Sequence, residues 1–331
     1  SPKYQMFTDT LLYNTRIEKM WFEGPTTIVN EENTMQGEHG YYLTEYDLAY
    51  LDKNPMMFNE TQWLWADSML YDRHHGFAKA LNSVQMIDTA YKVILRGEYV
   101  EVWEKTGYSF ATDSAHVTYY DGGDSLHITS DTMFYHFKTE LNDEEKIIGR
   151  RNVRFYKSDM QGQCDTMTYF TADSTIRMRH HPVLWADDAQ MTGDSIDIKV
   201  VNHNIDHVVQ NGHAFIIVAD STEGYNQFKG TLMVSRFNEG TLQKVEVTGD
   251  AKTISWLRED DQSLIGINVA SAQNMEMLMK DNNIDLIKYF KGIDETLYPE
   301  KELKENERYL EGFVWRIDER PKQWTDIFSK P

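Results

Sequence analysis

The sequence has 331 residues, 40% of them hydrophobic and 26% charged, which is enough apolar material for the core of one large domain or two smaller ones. Its 53 acidic and 33 basic residues give a formal charge of −20, which argues against nucleic acid as a partner and against charge-driven docking on an anionic membrane. No run approaches the roughly 18 consecutive apolar residues that a membrane-spanning helix needs.

The chain opens on Ser1-Pro2-Lys3 without the basic stretch and apolar segment of a signal peptide, and a strand pattern follows almost at once. This abrupt start suggests a trimmed N-terminus, which leaves the compartment open. Cysteine adds little, because Cys164 is alone and permits neither an internal disulfide nor a cysteine-based zinc site.

Five segments share one pattern: an Asp, a hydroxyl residue, an apolar residue, a variable residue and then usually Tyr. They are residues 9–13, 67–71, 131–135, 165–169 and 194–198, separated by 58, 64, 34 and 29 residues. Degenerate copies near Gly40 and Gly97 stand within the two longest gaps, and one near Gly230 continues the series. A period of about 30 to 36 residues predicts a solenoid or a stacked β array.

A second pattern, which begins with Gly, falls between these copies at Gly24, Gly149, Gly212 and Gly249. Each unit therefore holds about two short strands joined by polar turns, since apolar and polar residues alternate instead of following a 3.6-residue period. Turn signals stand at 121–123, 142–143 and 281–283, and the last predicts a hairpin over 275–289. Helix is expected only as short turns at 300–306 and 322–328, each after a proline.

The third and fifth residues of each copy point to one side of the strand, so together they predict an apolar inner face rich in Met and Tyr. These residues are Leu11, Tyr13, Met69, Tyr71, Met133, Tyr135, Met167, Tyr169, Ile196 and Ile198. Such a sheet must fold on itself or pair with a second sheet. The face could line a lipid trough, but the frequency with which apolar residues are buried favours a filled core at any single position.

The polar motifs favour structural roles. The repeated Asp recurs in every copy, as expected of a residue that binds main-chain N–H groups where a turn enters a strand. His74-His75 and His180-His181 are adjacent pairs, which point to opposite faces of a strand and rarely share a metal ion. The sequence thus predicts no metal site and no cofactor.

Motifs of catalysis are also absent from the sequence, which contains no Gly-x-Ser-x-Gly, no phosphate-binding loop and no dinucleotide fingerprint. Two carboxylates of a carbohydrate-active enzyme could still be hidden in so acidic a chain. Trp63, Trp65 and Trp103 could form a stacking platform for carbohydrate, although packing is the more frequent role of Trp.

The alternation of Gly-x-Val/Phe-x-Ile strands with Asp-Thr/Ser-Leu/Met-x-Tyr strands resembles the OstA-like family, the periplasmic proteins of lipopolysaccharide transport. Residues 163–169 and 182–194 are similar to the long, multi-repeat members of that family, and so is the end of the chain, residues 312–315 with Arg320-Pro321. The resemblance covers about residues 4–290.

The resemblance implies an all-β fold: an elongated, V-shaped jelly roll of stacked, bent antiparallel strands over residues 1–290, with little helix. Two stacked sub-modules meeting near 120–130 are one option, and residues 291–331 would form a tail that caps one end. The ten inner residues would line a trough for the acyl chains of lipid A. Edge strands would pair with other envelope transport proteins.

The function implied is that of a non-enzymatic bridge in lipopolysaccharide transport, located in the periplasm or on the periplasmic face of the outer membrane. The acidic surface would leave recognition of the lipid to the apolar trough. Two alternatives stay open: a structural or carbohydrate-binding β-repeat scaffold of the envelope, and, with less support, a carbohydrate-active enzyme.

Overall fold

The computed structural model describes residues 5–30, 33–120, 124–141, 143–202, 204–220, 224–259, 261, 263–280 and 283–328. Within these ranges the chain has 23 strands, four short 3₁₀ turns and no α-helix, so the predicted all-β fold is confirmed. None of these turns has the length and apolarity of a membrane-crossing helix. The helical turns expected near the C-terminus are shorter than predicted and span Glu305–Glu307 and Trp324–Phe328.

The chain divides into two compact units between Val153 and Arg154, whereas the sequence allowed a meeting point near 120–130. The strands of unit 1 are β1 (Gln5–Asn14), β2 (Lys19–Val29), β3 (Thr34–Leu43), β4 (Leu48–Asp52), β5 (Met56–Phe58), β6 (Gln62–Trp65), β7 (Ser68–Asp72), β8 (Phe77–Asp88), β9 (Val93–Trp103), β10 (Tyr108–Tyr120) and β11 (Ser125–His136). Strand β12 (Lys146–Lys157) contains the division point.

Unit 2 continues the pattern with longer strands. They are β13 (Met160–Phe170), β14 (Thr175–Arg179), β15 (Val183–Ala186), β16 (Ala189–Thr192), β17 (Ser195–Val201), β18 (Asn204–Ala219), β19 (Tyr225–Asn238), β20 (Thr241–Arg258), β21 (Leu264–Lys280), β22 (Asn283–Phe290) and β23 (Asp294–Tyr298). The hairpin predicted over 275–289 is confirmed, because Met275 of β21 pairs with Tyr289 of β22. Its turn residues 281–282 lie outside the described part of the chain, as do 121–123 and Asn142 of the other predicted turns.

Each unit consists of two half-sheets joined where the strands bend. In unit 1, half-sheet A contains β4 and β7, and half-sheet B contains β5 and β6. In unit 2, half-sheet A contains β14, β17 and β22, and half-sheet B contains β15, β16 and β23. The long strands β3, β8 and β18 pair with members of both half-sheets. All strand pairs with a described register are antiparallel, and the bends shift the register between neighbours.

The bends are built from residues with left-handed backbone. They are Lys53/Asn54, Asn82/Ser83, Asp113/Ser114 and Arg151/Asn152 in unit 1, and His180/His181, Gly212/His213 and Gly249/Asp250 in unit 2. Gly, Asn and Asp tolerate a positive φ better than other residues, which explains three glycines of the second sequence pattern, Gly24, Gly212 and Gly249; Gly149 has no positive φ and precedes the Arg151/Asn152 corner. His180 and His181 (φ 61° and 56°) therefore form the corner between β14 and β15.

The repeated Asp lies at the bend, opposite the corner of the next strand. The main-chain N–H of Asp67 donates to the carbonyl of Asn82 (3.0 Å), and that of Asp194 donates to the carbonyl of Gly212 (2.7 Å). In a third copy the Asp131 carboxylate accepts from Nδ2 of Asn152 (3.1 Å). Its role is structural, as expected, but in the first two of these pairs the Asp donates its own N–H to the corner instead of accepting one.

Candidate functional site

The ten predicted inner residues differ in burial according to their strands. Six of them are buried, namely Met69, Tyr71, Met133, Met167, Ile196 and Ile198. Tyr135 and Tyr169 are partly exposed. Leu11 and Tyr13 are exposed because their strand, β1, pairs only with β2 among the described strands.

Cross-strand register places the buried members in rows of neighbouring side chains within each unit. In unit 2, Met178 of β14 lies opposite both Met167 and Ile196, so these three side chains are neighbours on one face. In unit 1, Met69 lies between Leu51 and Ala80. At 1% and 0% exposure Met167 and Ile196 contact protein atoms on every side and form a filled core.

Half-sheet B of unit 1 has an apolar inner row that the sequence motifs did not single out. Met57 pairs with Leu64, Leu64 with Met86, and Met86 with Leu95, so the four side chains share one face. Met57 packs against the core of unit 1, which places this face inside the unit. All four side chains nevertheless keep partial exposure to solvent.

The corresponding row of unit 2 is closed. Its members are Leu184, Met191, Ile216 and Phe228, which pair in the same order and are each 0% exposed. The two rows occupy equivalent places in the repeat, since each begins two residues after a proline, Pro55 or Pro182. The difference in exposure is therefore a difference between the units and not a general property of the fold.

Side-chain volume in half-sheet A explains part of this contrast. Unit 1 has Ala78 and Ala80 at the inner positions of β8, and the equivalent positions of β18 in unit 2 hold Val208 and Gln210. Gln210 is fully buried and donates to the carbonyl of Phe215 (2.9 Å), so it fills space as well as bonding. The two alanines leave space in the interior of unit 1 that valine and glutamine fill in unit 2.

An open depression of about 560 Å³ lies at β1, β2 and β3 in unit 1. It is lined by Thr10, Leu11, Leu12, Trp21, Phe22, Glu23 and His39. The imidazole of His39 is hydrogen-bonded to the Asp52 carboxylate (2.6 Å). One of the predicted trough residues, Leu11, thus lines this depression at the edge of the unit.

Strands at the sheet edges expose apolar side chains. On β1, Phe7 and Leu12 are 61% and 66% exposed. In unit 2, β22 and β23 both pair with β21, and no described strand pairs with their outer edges. Leu286, Phe290 and Leu297 are exposed there. Unpaired edges with apolar side chains are suited to strand addition.

The three candidate tryptophans do not form a platform. Trp63 and Trp65 lie on β6 in half-sheet B, whereas Trp103 packs in an aromatic cluster with Tyr108 and Phe110 (ring centroids 5.4 and 6.0 Å). Rings that stack on each other have little free face for a sugar.

Reactive groups are scarce in the described ranges. No group of three or more His, Cys, Asp or Glu is placed to hold a metal ion among the residues described. Burial raises the pKa of the Cys164 thiol to about 12, so this cysteine is a packing residue and not a nucleophile.

No protein-family model and no curated protein matches the chain. Among solved structures, it is similar to LptH of Pseudomonas aeruginosa, described as the LptA homologous periplasmic component of the conserved lipopolysaccharide transport device. The two are 14% identical, the match covers 43% of this chain and 99% of LptH, and the TM-score is 0.35. Likeness at this level does not assign the chain to a family.

Proposed function

We propose that this protein binds lipid acyl chains inside unit 1 and acts as a non-enzymatic bridge in lipopolysaccharide transport at the periplasmic side of the outer membrane. One observation carries the proposal: the inner row of Met57, Leu64, Met86 and Leu95 is apolar and partly exposed, whereas its counterpart in unit 2 is fully buried. Apolar side chains that an interior leaves open are suited to an apolar ligand.

Binding would be driven by removal of the acyl chain from water, at about 0.8 kcal/mol for each buried CH₂ group. Two of the row's four members are methionine, whose flexible thioether adapts to chains of irregular shape. The formal charge of −20 gives no general attraction for lipid phosphates, so the apolar contact would have to supply most of the affinity.

Neighbouring envelope proteins would join by strand addition. The outer edges of β1 and of β22 with β23 offer main-chain N–H and C=O groups, flanked by exposed apolar side chains. Such an edge pairs with an extended strand of another protein through main-chain hydrogen bonds. This part of the proposal concerns partners of the transport class and does not depend on which lipid is carried.

A structural scaffold is the second candidate, and the closed interior of unit 2 favours it for that half of the chain. Leu184, Met191 and Ile216 form a packed core with no space for a ligand. Unit 2 would then serve as a scaffold without binding lipid itself.

The test is a titration of the full chain with lipopolysaccharide, read by native mass spectrometry, for the wild type and for Met86→Glu. A carboxylate in the open row must be desolvated by the acyl chain, so Met86→Glu is expected to weaken binding at least about tenfold. The matched control is Gln85→Glu, which adds the same charge one residue away on the opposite face of β8. The glutamate keeps a side-chain oxygen that can accept from Arg96 Nε, as Gln85 Oε1 does (3.0 Å). Equal binding by all three chains, or none by the wild type, would contradict the proposal.

A further inference from the structure

The C-terminal segment after β23 crosses the outer face of half-sheet B in unit 2 instead of covering a terminal strand. We call residues 300–328 the strap. Leu303 of the strap is buried in a cluster with Ile254, Trp256 and Ile267. Farther along the strap Ile327 is also buried, at 2% exposure.

Two buried glutamines hold the main chain of the strap. Gln190 Nε2 donates to the carbonyl of Val314 (2.7 Å), and its Oε1 accepts from the N–H of Arg316 (2.7 Å). Gln227 makes the same pair of bonds with the carbonyl of Arg308 (2.7 Å) and the N–H of Leu310 (2.8 Å). Each amide thus binds the strap as a neighbouring strand would, with one donor and one acceptor two residues apart.

Side chains of the strap complete the contact. Arg320 donates from Nε to Gln161 Oε1 (2.6 Å) and from Nη1 to the carbonyl of Asp187 (2.9 Å). Tyr225 of β19 packs against Phe313 and Trp315, with ring centroids 5.1 and 5.4 Å apart. The strap is therefore fixed by main-chain hydrogen bonds and by apolar anchors at several points along its length.

The glutamines belong to one cross-strand row. Its members in order are Gln161, Trp185, Gln190, Ile217, Gln227 and Ile254. The equivalent row of unit 1 is Thr34, Phe58, Trp63, Ile87, Ile94 and Thr118. The fold itself does not require glutamine at these positions, since unit 1 forms the same row with Thr, Trp and Ile.

We propose that this face of unit 2 is a binding groove for an extended polypeptide, that the strap is its intramolecular ligand, and that the strap of a second copy can take the same place. The groove recognises main chain through Gln190 and Gln227, and it selects an apolar side chain at the position of Leu303. A second copy is the occupant because its strap has the same sequence. An exchanged strap would therefore make the same contacts with Gln190, Gln227 and the Leu303 cluster that the strap makes within one chain.

The strap can leave its groove without breaking a strand or an α-helix, because it has neither of its own in the described chain. Its attachment in cis gives it a high effective concentration at the groove, which keeps the intramolecular form dominant at low protein concentration. Weakening either the strap or the groove of one chain destabilises its intramolecular contact, so that exchange with another chain can compete.

The test mixes two full-length variants with complementary defects. One, Leu303→Ser with Leu310→Ser, has a weakened strap and an intact groove. The other, Gln190→Leu with Gln227→Leu, has an intact strap and loses the four main-chain bonds of its groove. At a protein concentration low enough that the wild type is monomeric, each variant alone is expected to be monomeric as well. The mixture at that concentration is expected to give a 1:1 complex in native mass spectrometry.

In the control experiment the weakened-strap variant is mixed with Gln243→Leu, a change at an exposed position of β20. This change leaves the groove intact, so the strap of the control stays docked in its own groove and no complex should form. Hydrogen exchange reports whether strap amides lose protection while β19 and β20 keep theirs. Absence of a complex from folded variants with released straps would overturn the proposal, and so would straps that remain protected in both variants. Neither result bears on lipid binding in unit 1.

Discussion

At the residue scale, close packing of the interior leaves room for only small residues at some positions. Gly40 of β3 lies between Phe22 and Leu51, and a Cβ built there would be 2.1 Å from the carbonyl oxygen of Tyr50 and 2.7 Å from the Phe22 ring. The backbone carbonyl cannot move without disturbing the pairing of β3 with β4. Glycine is required here by close approach.

Gly40→Ala is therefore expected to lower the free energy of unfolding by about 2 kcal/mol or more, as overpacking does. Chemical denaturation of the full chain, followed by Trp fluorescence, measures the change. Gly97→Ala is the matched variant, because a Cβ there would approach its nearest atom only to 3.3 Å, and its loss should be clearly smaller. Equal losses for the two variants would contradict this account of Gly40.

A buried histidine, His116, with the partly exposed His127 beside it, makes the stability of unit 1 depend on pH. Burial, with the nearby His127 and Arg96, lowers the pKa of His116 to about 4 from its ordinary value of 6.5. His116 Nε2 lies 3.3 Å from His127 Nδ1, and Thr118 contacts both rings. His116 is thus neutral in the folded chain.

Because the unfolded chain binds this proton between pH 6.5 and about 4, the free energy of unfolding is expected to fall as pH falls through that window and to level off below it. Carboxylates titrate in the same range, so the measurement is the difference between the wild type and His116→Asn. In His116→Asn the free energy of unfolding should change less steeply with pH between 6.5 and about 4 than in the wild type. Identical slopes would show that His116 contributes nothing to the pH dependence.

At the scale of elements, periodicity and motif spacing predicted the strands, the 275–289 hairpin and the structural role of the repeated Asp. They could not predict exposure, since exposure depends on cross-strand neighbours. Leu11 has the same place in its motif as Met167, yet it is exposed because β1 is an edge strand, whereas Met167 faces Met178. Nothing in the local sequence of Leu11 carries that information.

The edge strand β1 is expected to mediate association with other chains. Phe7→Lys with Leu12→Lys places charges on its exposed side chains, which opposes edge-to-edge pairing. Sedimentation velocity at increasing protein concentration should show less association than for the wild type. Tyr46→Lys, at an exposed turn residue, is the control and should behave as the wild type. If the β1 variant associates as strongly as the control, the partner surface lies elsewhere.

At the scale of the whole molecule, the repeat produces two units with the same strand pattern and different interiors. Unit 1 has alanine at positions 78 and 80 and a partly exposed Met86. At the equivalent positions unit 2 has Val208, Gln210 and the buried Ile216. The sequence motifs treated the copies as equivalent and distributed the predicted trough over both units. The distinction arises from side-chain volumes summed across several strands, which no single motif contains.

The strap is the second feature that emerges only at this scale. The resemblance of the sequence to long, multi-repeat proteins implied a C-terminal tail over residues 291–331, expected to cap one end. Its contacts with Gln190 and Gln227 are made across more than 80 residues of chain, so local patterns could not predict them. Gln190 and Gln227 alternate with buried Met191 and Phe228, a pattern that predicts a solvent-exposed polar face and gives no sign that the glutamines are buried.

The central claim, that unit 1 binds acyl chains, is tested most directly by lipid A with a photoreactive diazirine on an acyl chain. After irradiation with the unmodified full chain, the attached peptides are mapped by mass spectrometry. Attachment is expected on β5, β6, β8 and β9, around Met57, Leu64, Met86 and Leu95. Attachment confined to unit 2, or to exposed surface residues alone, would contradict it.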